Sequence, residues 1–255
     1  MLMSYNDLTQ FALEAKDGRK GRAEDFYFDD ESWRIRYMVT ESGFLLTRRE
    51  GLVNSSLLGT PDAKTRTLPC DLTKAQIEAA ETPNTHPPVS EQRKRDIRER
   101  QIQMWPPLML GVPGAAYTPR IAEDQLFGGP VIENSEERAK QTPGDPHLRS
   151  MSEVSGYAVE AKGGEKGSVI DFLVDPAEWQ VRFLVADTGN WLPGRQAAIR
   201  TSAITSVNLA AKSIVVDMTK QAVEDAPELS EMKDLERSDV HLAVAQYGAY
   251  GGMPM

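Results

Sequence analysis

The sequence predicts a mainly β protein: two small β-barrels, each closed by a short helix, joined by a proline-rich linker that contains one helix. Three observations carry this reading. Residues recur at a fixed offset of 146, so that Glu14-Ala15-Lys16, Gly18, Gly21, Asp25-Phe26, Asp29 and Trp33 return as Glu160-Ala161-Lys162, Gly164, Gly167, Asp171-Phe172, Asp175 and Trp179. The register then holds without a gap through Arg36/Arg182, Val39/Val185, Ser56/Ser202, Asp71/Asp217 and Glu78/Glu224. Apolar residues within each copy alternate at the two-residue period of strands, and a proline-rich composition separates the copies. The resulting units are repeat 1 at 4–83, the linker at 84–149, repeat 2 at 150–228, and a short helix with a Gly/Tyr-rich tail at 229–255.

The elements follow in order. Phe26 and Phe28 share a strand face, as do Ile170, Phe172 and Val174. Asp29-Asp30-Glu31-Ser32 and Asp175-Pro176-Ala177-Glu178 supply turn chemistry. The returning strands place Trp33, Ile35, Tyr37 and Val39, or Trp179, Val181, Phe183 and Val185, on one apolar face, which predicts a hairpin buried on one side. Later strands are expected at 196–201, 203–209 and 212–218, giving about six short strands per copy. A helix then closes each copy. Thr73-Lys74-Ala75-Gln76 has the form of a capping box, whereas Thr219 keeps the cap and Ala222 cannot return the bond.

Prolines from Pro83 to Pro146 leave the linker room for one helix, from Ser90 to about Trp105. The following Trp105-Pro106-Pro107-Leu108-Met109-Leu110 is apolar for a linker, so it either packs on a barrel or meets a partner.

Composition excludes several classes. With 29 Lys+Arg against 38 Asp+Glu the net charge is −9, and both repeats are acidic, so nucleic acid is not an expected partner. The one basic run, Arg93-Lys94-Arg95 with Arg98 and Arg100, is interleaved with acids and reads as a solvated helix face. The single cysteine, Cys70, stands where repeat 2 has Val216; that exchange predicts a buried strand position and offers neither a disulfide nor a zinc site. No apolar run approaches the roughly 20 residues of a membrane span, and the expected location is cytoplasmic.

Motifs with chemical potential have structural explanations. Asp187-Thr188-Gly189 spells the aspartic-protease tripeptide, but Glu41-Ser42-Gly43 is its counterpart, and the expectation is a strand-end turn. Gly18-Arg19-Lys20-Gly21 resembles an RNA-clamping GxxG loop, yet in Gly164-Glu165-Lys166-Gly167 an acid replaces the arginine while both glycines stay, which predicts a hairpin turn. His86, His147 and His241 have no paired ligand spacing. No catalytic, cofactor-binding or metal-binding residue is assigned, and no cofactor is expected.

The second copy, in Gly156-Tyr157, Glu165-Lys166-Gly167, Asp171-Phe172-Leu173-Val174-Asp175, Trp179, Val181-Arg182-Phe183-Leu184-Val185 and Asn190-Trp191-Leu192-Pro193-Gly194-Arg195, closely resembles the PRC-barrel family. That family is named for the cytoplasmic barrel of the H subunit of the photosynthetic reaction centre. The first copy resembles it less well, having Phe44-Leu45-Leu46-Thr47-Arg48-Arg49 at the loop of residues 190–195. The resemblance implies PRC-type barrels and a bacterial, non-catalytic protein-interaction or assembly module whose partner is a protein or a membrane complex met peripherally, at the inner membrane. A homodimer is open. One alternative is a soluble relative of the H subunit docking on a photosynthetic membrane complex; another is a ligand-binding or enzymatic barrel with its site between the repeats. The expected partner contacts are Trp105 and Leu108 in the linker, Asn190 and Trp191 where the copies differ, and Arg195, which recurs as the counterpart of Arg49.

Overall fold

The computed structural model describes residues 1–42, 49–104, 144–164, 166–189, 194–227 and 229. The first half runs β1 (Met3–Ser4), α1 (Tyr5–Leu8), β2 (Ala12–Ala15), β3 (Gly18–Asp29), β4 (Ile35–Ser42), β5 (Arg49–Asn54), β6 (Thr67–Pro69) and α2 (Lys74–Glu78). Helix α3 (Val89–Met104) occupies the linker where the sequence leaves room for it. The second half repeats the order: β7 (Leu148–Ser150), α4 (Met151–Val154), β8 (Ala158–Lys162), β9 (Lys166–Asp175), β10 (Gln180–Asp187), β11 (Gln196–Arg200), β12 (Ile204–Asn208), β13 (Ser213–Thr219) and α5 (Lys220–Glu224).

The chain is mainly β and builds two sheets. One has the order β5-β4-β3-β2-β6 and the other β11-β10-β9-β8-β13-β12. Neither closes into a barrel by strand pairing, so the closed barrels expected from the sequence are here two open sheets. The break lies between β11 and β12, where a 3₁₀ turn at Thr201–Ala203 carries the chain round a corner without a ladder. In the first half the counterpart of β12 shrinks to two isolated bridges, Leu58–Cys70 and Asp62–Thr67. Pro61 and Pro69 stand at the positions of Val207 and Val215, and proline has no N–H to give a ladder.

Both closing helices form as the sequence indicates. Thr73 and Gln76 complete the capping box of α2, while Thr219 caps α5 through the Ala222 amide alone. Ile77 and Val223 bury the apolar face of each helix, and α5 packs on β8, β11 and β13. Cys70 and Val216 are both buried, but only Val216 lies in a strand, β13; Cys70 follows β6 and makes an isolated bridge to Leu58.

The returning strands differ from expectation in one respect: both of their faces are buried. Register shifts between β9 and β10 at Val181/Phe183, and between β3 and β4 at Tyr27/Phe28, move the alternation by one residue. Val181, Leu184 and Ala186 therefore point into the main core, whereas Phe183 and Val185 face the other way. Ile35 and Met38 likewise enter the core, and Tyr37 and Val39 turn outward.

Each outward cluster is covered by chain from elsewhere. Leu2 caps Leu173, Phe183, Val185 and Ala198; Leu148, at the equivalent position, caps Tyr27, Tyr37, Val39 and Leu52. The segment after each closing helix adds a backbone bond to the edge strand, Leu52 N–H to Glu81 O (2.7 Å) and Ala198 N–H to Pro227 O (2.9 Å). The main core is a single body that draws aromatic residues from both halves, including Tyr5, Phe26, Phe28, Trp33, Phe172 and Trp179.

Candidate functional site

The region where recurring polar residues converge is the junction between the halves. Strand β1 of the first half pairs with β9 of the second, Met3 opposite Val174 and Ser4 opposite Leu173. Strand β7 of the second half pairs with β3 of the first, Ser150 opposite Tyr27 and Leu148 opposite Asp29. The two halves thus exchange arms. Contacts that recur in this reciprocal way are the mark of an isologous interface, made here within one chain.

Each arm is fastened by a serine that works twice. Ser4 caps α1 through the Asp7 amide and donates its hydroxyl to Asp171 Oδ2 (2.5 Å), which also receives the Asn6 and Phe172 amides on Oδ1. Ser150 caps α4 through the Glu153 amide and donates to Asp25 Oδ2 (2.6 Å). Asp25 further accepts from the Phe26 and Ser152 amides, the Ser152 hydroxyl and the Tyr5 hydroxyl. Both aspartates are buried, and a buried carboxylate is tolerable only when donors of this kind replace water. Burial raises the Asp25 carboxyl above its ordinary range against the pull of those donors, and burial beside Asp25 raises the Tyr5 phenol.

The second fastening is at the tryptophans. Trp33 (φ 59°) and Trp179 (φ 49°) are both left-handed, which a bulky residue adopts only under constraint. The conformation turns each carbonyl toward the other half: Trp33 O accepts the Val181 amide and Trp179 O accepts the Ile35 amide, both at 2.8 Å. Arg34 and Gln180, themselves equivalent, bridge between these bonds. The Trp179 ring stacks on Phe26 at 5.8 Å, and its indole N–H reaches Leu58 O at 3.4 Å. Both tryptophans are buried core residues, as their position at the head of an inward strand implies.

The halves differ at one corner. Asp30 receives Arg149 (2.6 Å) and His147 Nδ1 (3.0 Å), Glu31 lies 3.6 Å from His147 Nε2, and Arg36 joins Asp29 (3.4 Å) to Asp145 (3.9 Å). The hydrogen bond to Asp30, reinforced by Glu31 and Asp29, raises the imidazole pKa. Burial would raise Asp29, but the Ser32 amide and hydroxyl, the Glu31 amide and Arg36 together hold it below the ordinary range. Nearby, His86 stacks on Tyr37 at 5.2 Å and pairs with Glu81 at 3.0 Å.

Of the expected partner contacts, Trp105, Leu108, Asn190 and Trp191 lie outside the described residues. Arg195 is half-buried, and its guanidinium donates to Ala226 O at 2.8 Å, tying the head of β11 to the chain after α5. Asp187-Thr188-Gly189 is a strand-end turn, where the Gly189 amide donates to the Asp187 carboxylate at the end of β10. Gly18-Arg19-Lys20-Gly21 is not the turn expected of it: the β2–β3 turn lies at Lys16-Asp17, and the four residues open β3, with Gly18 (φ 114°) opposite Ala15 and Gly21 (φ 70°) where a Cβ would meet Glu41 O. Among the described residues no helix is long and apolar enough to cross a membrane. The roles of Ser4 and Ser150 escaped the sequence reading, although both recur at the common offset and a serine before a short apolar helix is a capping signal.

Compared with protein-family models the chain matches none, and no curated protein matches it.

Proposed function

We propose that this is a tandem PRC-type protein acting as a non-catalytic interaction or assembly module, with its partner a protein or membrane complex met peripherally. One observation carries the reading: among the described residues, the buried polar side chains common to both copies, and several exposed ones, work in construction. Ser4 and Ser150 fasten the arms to Asp171 and Asp25, Thr73 and Thr219 cap helices, and Lys16 and Lys162 pair with Asp71 and Asp217. A duplicated enzyme would keep a nucleophile, a base and a stabilising group within reach of substrate in at least one copy. Here the space between the copies is filled by aromatic rings.

The partner surface then belongs to residues that do not recur, namely Trp105 and Leu108 in the linker and the loop at Asn190 and Trp191. Placing a photo-crosslinking residue at Trp105 or Trp191 of the full chain tests this in a native extract. A discrete protein adduct from these positions, absent when the probe replaces exposed Lys64, supports the module. No adduct, or the same adducts from every position, contradicts it.

A further inference from the structure

The two exchanged arms are built alike but end differently. At the start of β7, His147 sits between carboxylates: Nδ1 is 3.0 Å from Asp30 and Nε2 is 3.6 Å from Glu31. Its carbonyl accepts the Asp30 amide (3.0 Å) and its own amide donates to the Asp145 carboxylate (2.9 Å), so the imidazole is held where β7 joins the first half. At the equivalent places in the other arm stand Met1, Pro176 and Ala177, none of which titrates in its side chain. We propose that docking of the β7–α4 arm is a pH-responsive latch, tightened when His147 is protonated, while the β1–α1 arm carries no such control.

The charged groups around the ring decide the sign. Asp29, Asp30 and Glu31 approach from the β3–β4 turn and Asp145 from the linker; Arg36 on β4 and Arg149 on β7 each already hold a carboxylate. Acid therefore outnumbers base, and an imidazolium is favoured in the docked arm. The folded pKa of His147 lies above its ordinary 6.5, so the contribution is full below 6.5 and is lost as pH rises through the folded value. Because the ring is partly exposed, the effect is a modest one that salt weakens.

Residue-resolved hydrogen exchange of the full chain, corrected for intrinsic rates from pH 5.5 to 8.5, tests the latch. Protection of the Asp30 amide, measured relative to the β1–β9 amides, should fall by about two- to five-fold across the histidine window, the size expected of one exposed ion pair. In His147→Gln the ratio should stay flat. An unchanging ratio in the natural chain, or the same fall in His147→Gln, overturns the proposal. The titration of the His147 ring by NMR gives a readout independent of exchange: a midpoint above 6.5 agrees, and one at or below 6.5 contradicts.

Discussion

Ser4 and Asp171 stand 167 residues apart in sequence, yet the serine hydroxyl lies 2.5 Å from the carboxylate and fastens the first arm to the second half. The equivalent pair, Ser150 and Asp25, fastens the second arm to the first half. The two latches are unequal, because among the described residues Asp25 keeps four donors when Ser150 is removed and Asp171 keeps two when Ser4 is removed.

Ser4→Ala should therefore destabilise the chain more than Ser150→Ala. Loss of a helix cap together with a hydrogen bond to a buried charge amounts to about 2 kcal/mol or more for Ser4→Ala, and about 1 kcal/mol for Ser150→Ala. Urea unfolding of both variants checks the order.

Gly167→Ala isolates a steric limit. An added Cβ would lie 2.5 Å from Asp187 O, a backbone atom that cannot swing aside, and Gly21 faces Glu41 O in the same way at 2.1 Å. A cost of about 1–3 kcal/mol is expected, seen as a lower unfolding midpoint.

Left-handed residues outside the junction offer gains. Lys212 (φ 49°) precedes β13, so Lys212→Gly should stabilise by about 0.5–1 kcal/mol. Arg66 is its counterpart (φ 51°), but its guanidinium lies over the Phe11 ring at 6.0 Å, and Arg66→Gly should come out near neutral. Thermal unfolding of the pair distinguishes them.

Asp25 gives a pH dependence with a defined sign. Its folded pKa lies above the ordinary 3.8, so the folded state binds the proton more readily than the unfolded chain. As pH falls from 7 toward 4, the natural chain should gain stability relative to Asp25→Asn, whose amide does not titrate. Unfolding free energies of both proteins at several pH values give the difference directly.

Much of this was legible in the residues. The common offset located both copies, the strands at β11, β12 and β13 fall within two residues of expectation, and Thr73 and Thr219 cap as their neighbours dictate. Other features were hidden for physical reasons. A repeat reveals which residues match, but an arm docked on its own half and one docked on its twin preserve the same pattern. Bulges are set by pairing across strands, so a simple alternation merged Val181 with Phe183 although they enter different clusters. Pro61 and Pro69 were visible throughout, and their cost to the first sheet emerges only against Val207 and Val215. Of the candidate contacts only Arg195 has a described place, and its bond to Ala226 is a tether within the fold.

The central claim is that the copies hold each other through exchanged arms and one shared core. Residue-resolved hydrogen exchange in rising urea measures it most directly, by following β3–β4 and β9–β10 in the natural chain and in Ser4→Ala. The account predicts that both strand pairs lose protection at one urea concentration, and that Ser4→Ala lowers that concentration equally for both. Separate transitions, or a loss confined to β9–β10, would contradict it.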